Sequence, residues 1–183
     1  GKHSEIFLRR LNHEILTALA QSMKALMSDR NFSKINITDI CDGCGMSRKS
    51  FYYHFKDKYD LMNWIFYTDF ITLVGSKSFD DGWDLFEAVC DMFYESQGFY
   101  RCAFRTEGQN SFREYLLESM LPIVDFLFED ALGSGDEYGI VGKMFCELYI
   151  ITVSNWLETG CRLSPKQLIT SIKEVIKKLA VGI

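Results

Sequence analysis

The stretch 35-INITDICDGCGMSRKSFYYHFKDKYDL-61 holds two short helical patterns around a Gly-containing turn, with a third pattern opening after Asp57. Ile37, Ile40, Cys41 and Cys44 lie three and four apart and share one face of a first helix, which Thr38 or the residue before it can cap. Gly45 should stop that helix, because it lacks the Cβ that disfavours the left-handed backbone of a sharp turn. Met46 is the apolar plug of the turn, and Ser47 caps a second helix over Arg48–His54. Phe51 and Phe55 point to the core, which leaves Arg48, Lys49, Ser50, Tyr52 and Tyr53 outward. Those five supply hydrogen-bond donors, phenols and two cations, with no carboxylate. Such a surface suits phosphates and base edges: cations gain affinity by releasing counterions, and a helix of this width enters a major groove.

At these residues the chain resembles the DNA-binding domain of TetR-type bacterial repressors. That family carries Ile/Val-Thr-x-x-Ile-Ala-x-x-Ala-Gly-Val-Ser, followed by Leu/Phe-Tyr-x-His/Tyr-Phe-x-x-Lys-x-x-Leu. The matching positions are Ile37, Thr38, Ile40, Gly45, Met46, Ser47, Phe51, Tyr52, His54, Phe55, Lys58 and Leu61. Cys41 and Cys44 depart from it, standing where the family usually has alanines.

The 183 residues can enclose a sizeable core, and a composition 48% hydrophobic and 15% aromatic is that of a globular chain. Helical periods recur throughout and no stretch alternates at period two over a strand length, so the fold class is all-α. The N-terminus lacks a basic segment followed by an apolar run, which speaks against a signal peptide. The best apolar window, Leu148–Leu157, is too short for a membrane span, and no membrane partner is expected. Six cysteines, at 41, 44, 90, 102, 146 and 161, fall mostly at apolar helical positions and read as buried thiols in a reducing cytoplasm.

The net charge of −5 divides unevenly. Residues 1–60 hold ten Lys/Arg against seven Asp/Glu, whereas residues 61–183 hold ten against eighteen. A cationic head on an acidic body orients the molecule toward phosphates.

A first helix is expected over Ser4–Ser28 with Ile6, Phe7, Leu11, Ile15, Leu19, Met23, Leu26 and Met27 as its apolar stripe. Arg9 and Arg10 near its start can reach phosphates or form a solvated basic face. Phe32 should pack under the turn. After the motif, helices are expected from Lys58 to about Gly75, Trp83 to Ser96, Phe99 to Arg105 and Phe112 to Asp130, the last kinked or restarted at Pro122. Leu132–Tyr138 reads as a flexible connection. The final helices are Tyr138–Thr159 and Pro165–Val181, the second capped by Ser164 with Pro at its first position.

Cys41-Asp-Gly-Cys44 invites a redox or zinc reading. Zinc needs two further ligands, and no second CxxC or His pair at ligand spacing exists, so neither metal nor cofactor is expected. Cysteine as a small hydrophobe fills the close helix contact, with thiol sensing as the other reading. No triad, Gly-rich phosphate loop or metal spacing supports an enzyme. His54 at the end of the recognition helix contacts phosphate or caps, by the resemblance, and His3 and His13 are isolated.

The resemblance implies an N-terminal three-helix helix-turn-helix domain over 1–57 and a helical effector-binding and dimerisation domain over 58–183. It implies a cytoplasmic homodimer on a double-stranded DNA operator, repression being the default. The expected DNA contacts are Thr38, Ser47, Arg48, Lys49, Ser50, Tyr52, Tyr53, His54 and Lys58. Lys58 lies in the first turn of its helix, where an amine opposes the helix dipole yet is well placed for a phosphate. A small-molecule effector would meet Phe93, Arg101, Arg105, Arg113, Tyr149 and Asn155. A buried Arg without a protein carboxylate would indicate an acidic ligand. The segment Phe145–Gly160 with Leu163-Ser-Pro-Lys-Gln-Leu also resembles a TetR branch that includes regulators of dihydroxyacetone kinase operons, some of which are coactivators that take a protein partner in place of an effector. Ile151, Trp156 and Leu157 with Leu168, Ile172, Val175, Ile176 and Leu179 offer apolar faces for the family's four-helix dimer interface.

Overall fold

In a computed structural model the structure describes residues 1–132 and 136–182; the side chains of 128, 131, 132 and 136–138 lie outside that description. Among the described residues the chain forms helices and no strand. The helices are α1 (Lys2–Asp29), α2 (Ile37–Asp42), α3 (Arg48–His54), α4 (Lys58–Ser76), α5 (Gly82–Glu95), α6 (Gln97–Phe104), α7 (Phe112–Leu132), α8 (Asp136–Glu158) and α9 (Pro165–Val181), with a 3-10 turn at Phe32–Lys34 after α1.

Local chemistry fixes most of the ends. Asn36, and neither Thr38 nor Ile37, caps α2: its side chain accepts from Asp39 N while Asp39 accepts from Asn36 N, which closes a reciprocal box. Asp57 and Asp81 cap α4 and α5 by accepting from Asp60 N and Asp84 N, while Asp60 and Asp84 accept from Lys56 N and Asp80 N, one residue before each cap. Ser164 and Gln167 box the start of α9 behind Pro165. Pro122 lies within α7, which runs through it as one helix. The expected connection over Leu132–Tyr138 is shortened by α8 beginning at Asp136, and its centre at 133–135 lies outside the described residues.

α1 lies on α2, α4 and α6, α7 packs most extensively on α8, and α5 on α9. A continuous apolar core runs from Leu19, Met23 and Ile40 through Phe51, Leu61 and Phe66 to Phe93, Phe112, Val153 and Leu157. Its middle is an aromatic stack: Phe93 meets Tyr100 at 4.7 Å, Phe104 at 5.6 Å and Phe112 at 6.4 Å between ring centroids. Each such pair adds about 0.5–1.5 kcal/mol beyond its burial. Gly98 lets α6 lie close on α1, since a Cβ there would come within 2.9 Å of Ser28 Oγ. A polar knot crosses the same seam. Asp69 on α4 accepts from Lys24 Nζ on α1 at 3.0 Å and from Tyr100 Oη on α6 at 2.6 Å.

Two expectations about apolar stripes change. Ile6, Phe7, Leu8 and Leu11 are exposed, so α1 joins the core only from Ile15 onward and its first three turns stand clear of the body. In addition, the apolar run of α8 is longer than the sequence window: Gly139–Glu158 is 20 residues, long and apolar enough to cross a bilayer by length and composition. Its packing accounts for part of that character, since Cys146, Tyr149, Ile150, Val153 and Leu157 are buried against the core.

Candidate functional site

The turn between α2 and α3 sets the candidate DNA-reading surface. α2 closes at Asp42, and the chain returns through Gly45, whose φ of +67° is left-handed. Cys41 O accepts from Cys44 N at 3.2 Å and from Met46 N at 3.1 Å, which satisfies the end of α2. Cys41 is buried, and burial pushes both Cys41 and Cys44 thiols up. Cys44 Sγ donates to Ile40 O at 3.4 Å. Both side chains sit as small packing groups against the core. Ser22 from α1 donates to Ile40 O at 2.7 Å and clamps α2 from behind.

Ser47 Oγ accepts from Ser50 N at 3.1 Å and starts α3. Phe51 is fully buried and Phe55 nearly so, hence the opposite face must look outward. Ser47, Arg48, Lys49, Tyr52 and Tyr53 are exposed, Tyr53 at 79%, and Ser50 and His54 are half-buried. Arg48 Nη1 donates to Thr38 Oγ1 at 3.0 Å, and its guanidinium lies 5.8 Å from the centre of the Tyr52 ring. That pair holds a long cation in a defined direction on the exposed side, which lowers the entropy such a side chain loses on engaging any anionic or acceptor group. His54 meets Tyr53 edge-on at 4.9 Å. Thr38 is exposed beside this group.

Lys58 departs from the expected phosphate contact. Its amine donates to Phe32 O at 2.7 Å and Ile35 O at 2.8 Å and lies 4.3 Å from the centre of the Phe32 ring. Burial holds its pKa below the usual lysine value. The amine meets the carbonyls of the 3-10 turn and the residue after it, so it fastens the segment that feeds α2. Periodicity along α4 could not reveal this, because the partners come from 23 and 26 residues away.

The residues expected around an effector do not converge on an open chamber. Phe93 belongs to the aromatic core. Asn155 is exposed, not enclosed, while its neighbours Ser154 and Trp156 are buried. Arg101 Nε donates to Leu157 O at 2.8 Å and its Nη2 to Gln97 Oε1 at 3.1 Å. Arg105 pairs with Glu158 through both Nε and Nη2, and this fork holds the Glu158 carboxyl below its usual range. Arg113 is exposed, its Nε on Phe104 O at 2.9 Å and its Nη2 on Ser154 Oγ at 2.6 Å. Tyr149 Oη donates to Phe86 O at 3.1 Å and lies 3.3 Å from Cys90 Sγ; burial pushes the phenol up and the Cys90 thiol up to about 12. Tyr149 lines a cavity with Phe66, Phe70, Phe86, Leu116 and Met120, with a volume of about 30 Å³. That is room for about two waters, against roughly 300–1,000 Å³ for a site that swallows a drug-sized ligand. Among the described residues no group of three His, Cys, Asp or Glu is placed to hold a metal ion.

Outward apolar residues collect elsewhere. Ile140, Met144, Leu148 and Ile151 form an exposed stripe on α8, and Val175, Ile176 and Leu179 one on α9. Of the residues expected at a dimer interface, Trp156, Leu157 and Leu168 are instead buried within the subunit. Trp156 Nε1 donates to Leu163 O at 2.9 Å.

Comparison with known proteins agrees with this architecture. Residues 23–64 match the family described as bacterial regulatory proteins, tetR family, and residues 81–178 match a transcriptional regulator C-terminal region of the same family. Over 79 residues the chain is 30% identical to the HTH-type dhaKLM operon transcriptional activator DhaS of Lactococcus lactis subsp. lactis, a match covering 42% of each chain. The fold is similar to a solved dihydroxyacetone kinase operon activator DhaS, with a TM-score of 0.67 and 19% identity over 90% of this chain and 95% of that one. It is also similar to a putative TetR-family transcriptional regulator from Syntrophomonas wolfei, with a TM-score of 0.69 and 16% identity over 94% and 97% of the two chains. The second family match alone spans more than half of the 183 residues, and the two together enclose the DNA-reading turn and most of the helical body. The chain belongs to the TetR family of DNA-binding bacterial transcriptional regulators.

Proposed function

We propose that this regulator binds a pseudo-palindromic operator as a cytoplasmic homodimer and receives its signal at the surface, not in an interior chamber. Residues 1–57 form the DNA-reading unit, and residues 58–183 pair the subunits and take the signal. The carrying observation is the exposed, carboxylate-free face of α3. Arg48, Lys49, Ser50 and Tyr52 meet base edges or neighbouring phosphates, and Thr38, Ser47, Tyr53 and His54 hold the backbone. The exposed stripes of α8 and α9 supply the dimer contact, which two operator half-sites require.

The closed core supports control by a protein partner over an effector enclosed in the helical body. A partner that shifts the separation of the two α3 helices changes operator affinity by its unequal affinity for the two arrangements. The Lactococcus relative is a transcriptional activator, which supports activation over repression. The test is binding to the DNA upstream of the chain's own coding region over a salt series. Affinity should fall steeply, with a log–log slope of about −0.9 per phosphate contacted. Arg48→Ala should cost about 1–3 kcal/mol and relax sequence preference. No affinity for that DNA at low salt would overturn the reading.

A further inference from the structure

We propose that the crevice between the end of α1 and one face of α6 binds a small, multiply charged anion, of which phosphate esters and dicarboxylates are the two chemical sources. The crevice has a volume of about 410 Å³. One wall is the chain from Met27 to Asn31 with Lys34; the other is Gly98, Arg101, Cys102 and Arg105. Four cations line it, Arg30, Lys34, Arg101 and Arg105, against the single carboxylate of Asp29. Asp39 and Glu158, outside the wall, pair with Arg30 and Arg105, and the set still carries excess positive charge. Two of the cations stand on a body whose residues from 61 onward hold ten Lys/Arg against eighteen Asp/Glu.

Free donors remain on both walls. Arg101 uses Nε and Nη2 within the protein and keeps Nη1; Arg105 likewise keeps Nη1. Lys34 has no ion-pair partner among the described residues. An anion with two charged ends can engage Lys34 on the 3-10 turn and a guanidinium on α6 together, and charge-assisted bonds of this kind are the strong ones. The volume suits a small ligand and is too small for a duplex or a folded partner.

The crevice also lies where a ligand would matter. The segment 30–35 leads from α1 into α2 and is already held from the α6 side, with Cys102 Sγ donating to Arg30 O at 3.4 Å. An anion bridging Lys34 to Arg101 would tie that segment to the helical body and restrict the tilt of α2 and α3. The effect on operator affinity rests on the DNA-binding reading above; the binding itself does not.

The experiment titrates the full chain with inorganic pyrophosphate and, separately, succinate at constant ionic strength, following backbone amide resonances. Saturable shifts at Lys34, Gly98, Arg101 and Cys102 are expected with at least one of the two, and which one responds identifies the chemical source. Lys34→Ala should weaken binding about tenfold, the loss of one charge-assisted hydrogen bond. Lys34→Arg should retain binding, and Lys49→Ala, on the DNA-reading face, should leave it unchanged. The proposal is overturned if neither anion gives saturable shifts, if the shifts centre on Ser47–Ser50, or if Lys34→Ala binds as tightly as the parent. Saturable binding in a protein that fails to retain its upstream DNA would sink the operator reading and leave the anion site standing.

Discussion

Replacing Lys58 by Met separates two roles that the family motif does not distinguish. Methionine keeps an unbranched apolar stem, so packing on Phe32 is largely preserved while the ammonium is lost. Phe32 O and Ile35 O then lose donors at 2.7 and 2.8 Å. Hydrogen bonds from a charged donor contribute about 1.5–3 kcal/mol each, and the cation over the Phe32 ring about 0.5–1 kcal/mol more. Against this, the variant no longer buries an ammonium, a cost visible in the lowered Lys58 pKa. The balance is a loss of about 2 kcal/mol, which for a chain of this length lowers Tm by roughly 4–8 °C. Thermal and urea melts at one fixed protein concentration measure it, since any self-association would make stability depend on concentration. The salt slope of DNA binding should be unchanged. If instead Lys58→Met melts with the parent and the slope falls by about one phosphate's worth, the amine contacts DNA and the inward geometry does not describe the working protein.

Three other outcomes follow from particular residues. Gly45→Ala meets no neighbouring atom within 4 Å, so its cost comes from the φ of +67° alone, about 1–2 kcal/mol; Gly45→Asn should recover much of it, as paired urea melts can show. Thiol labelling of the native protein at pH 8 should leave Cys90 unmodified, since burial holds its thiol up to about 12 and only pH well above neutrality would release the thiolate; half-buried Cys44 should react sooner, and rapid modification of Cys90 would refute the closed core. Leu148→Glu, at a residue 55% exposed within the α8 stripe, should shift the chain toward monomer in light scattering without lowering its helix content, and an unchanged mass would remove α8 from the dimer face.

The parts of this architecture that were legible in the sequence are those determined within a few residues. Gly45 needs only its own φ, Ser47 reaches the amide three residues on, and Ser164-Pro165 announces α9 by local capping. The Asn36 cap was equally local, its signal being the Asn-Ile-Thr-Asp spacing that returns Asp39 to the Asn36 amide. What stayed hidden depends on which distant segment arrives opposite a side chain. Lys58 could not be directed inward without knowing where residues 32 and 35 end up. The apolar period at the start of α1 is genuine, yet a stripe does not reveal how far the body beneath it extends. The same holds for Arg105 and Arg113: sequence supplied the cations, and only the fold supplied Glu158 and Ser154 as their partners.

The seam between α1 and α6 has a mechanical consequence. Gly98 leaves no room between its backbone and Ser28, and one turn back along α1 Lys24 joins Asp69 and Tyr100 to pin the same two helices to α4. A joint closed by contact and, one turn away, by hydrogen bonds has little play, so a displacement of α6 would carry the end of α1 with it. Loosening it with a larger residue at position 98 should uncouple input from output while leaving each half folded, a way to build variants that hold DNA yet ignore their signal.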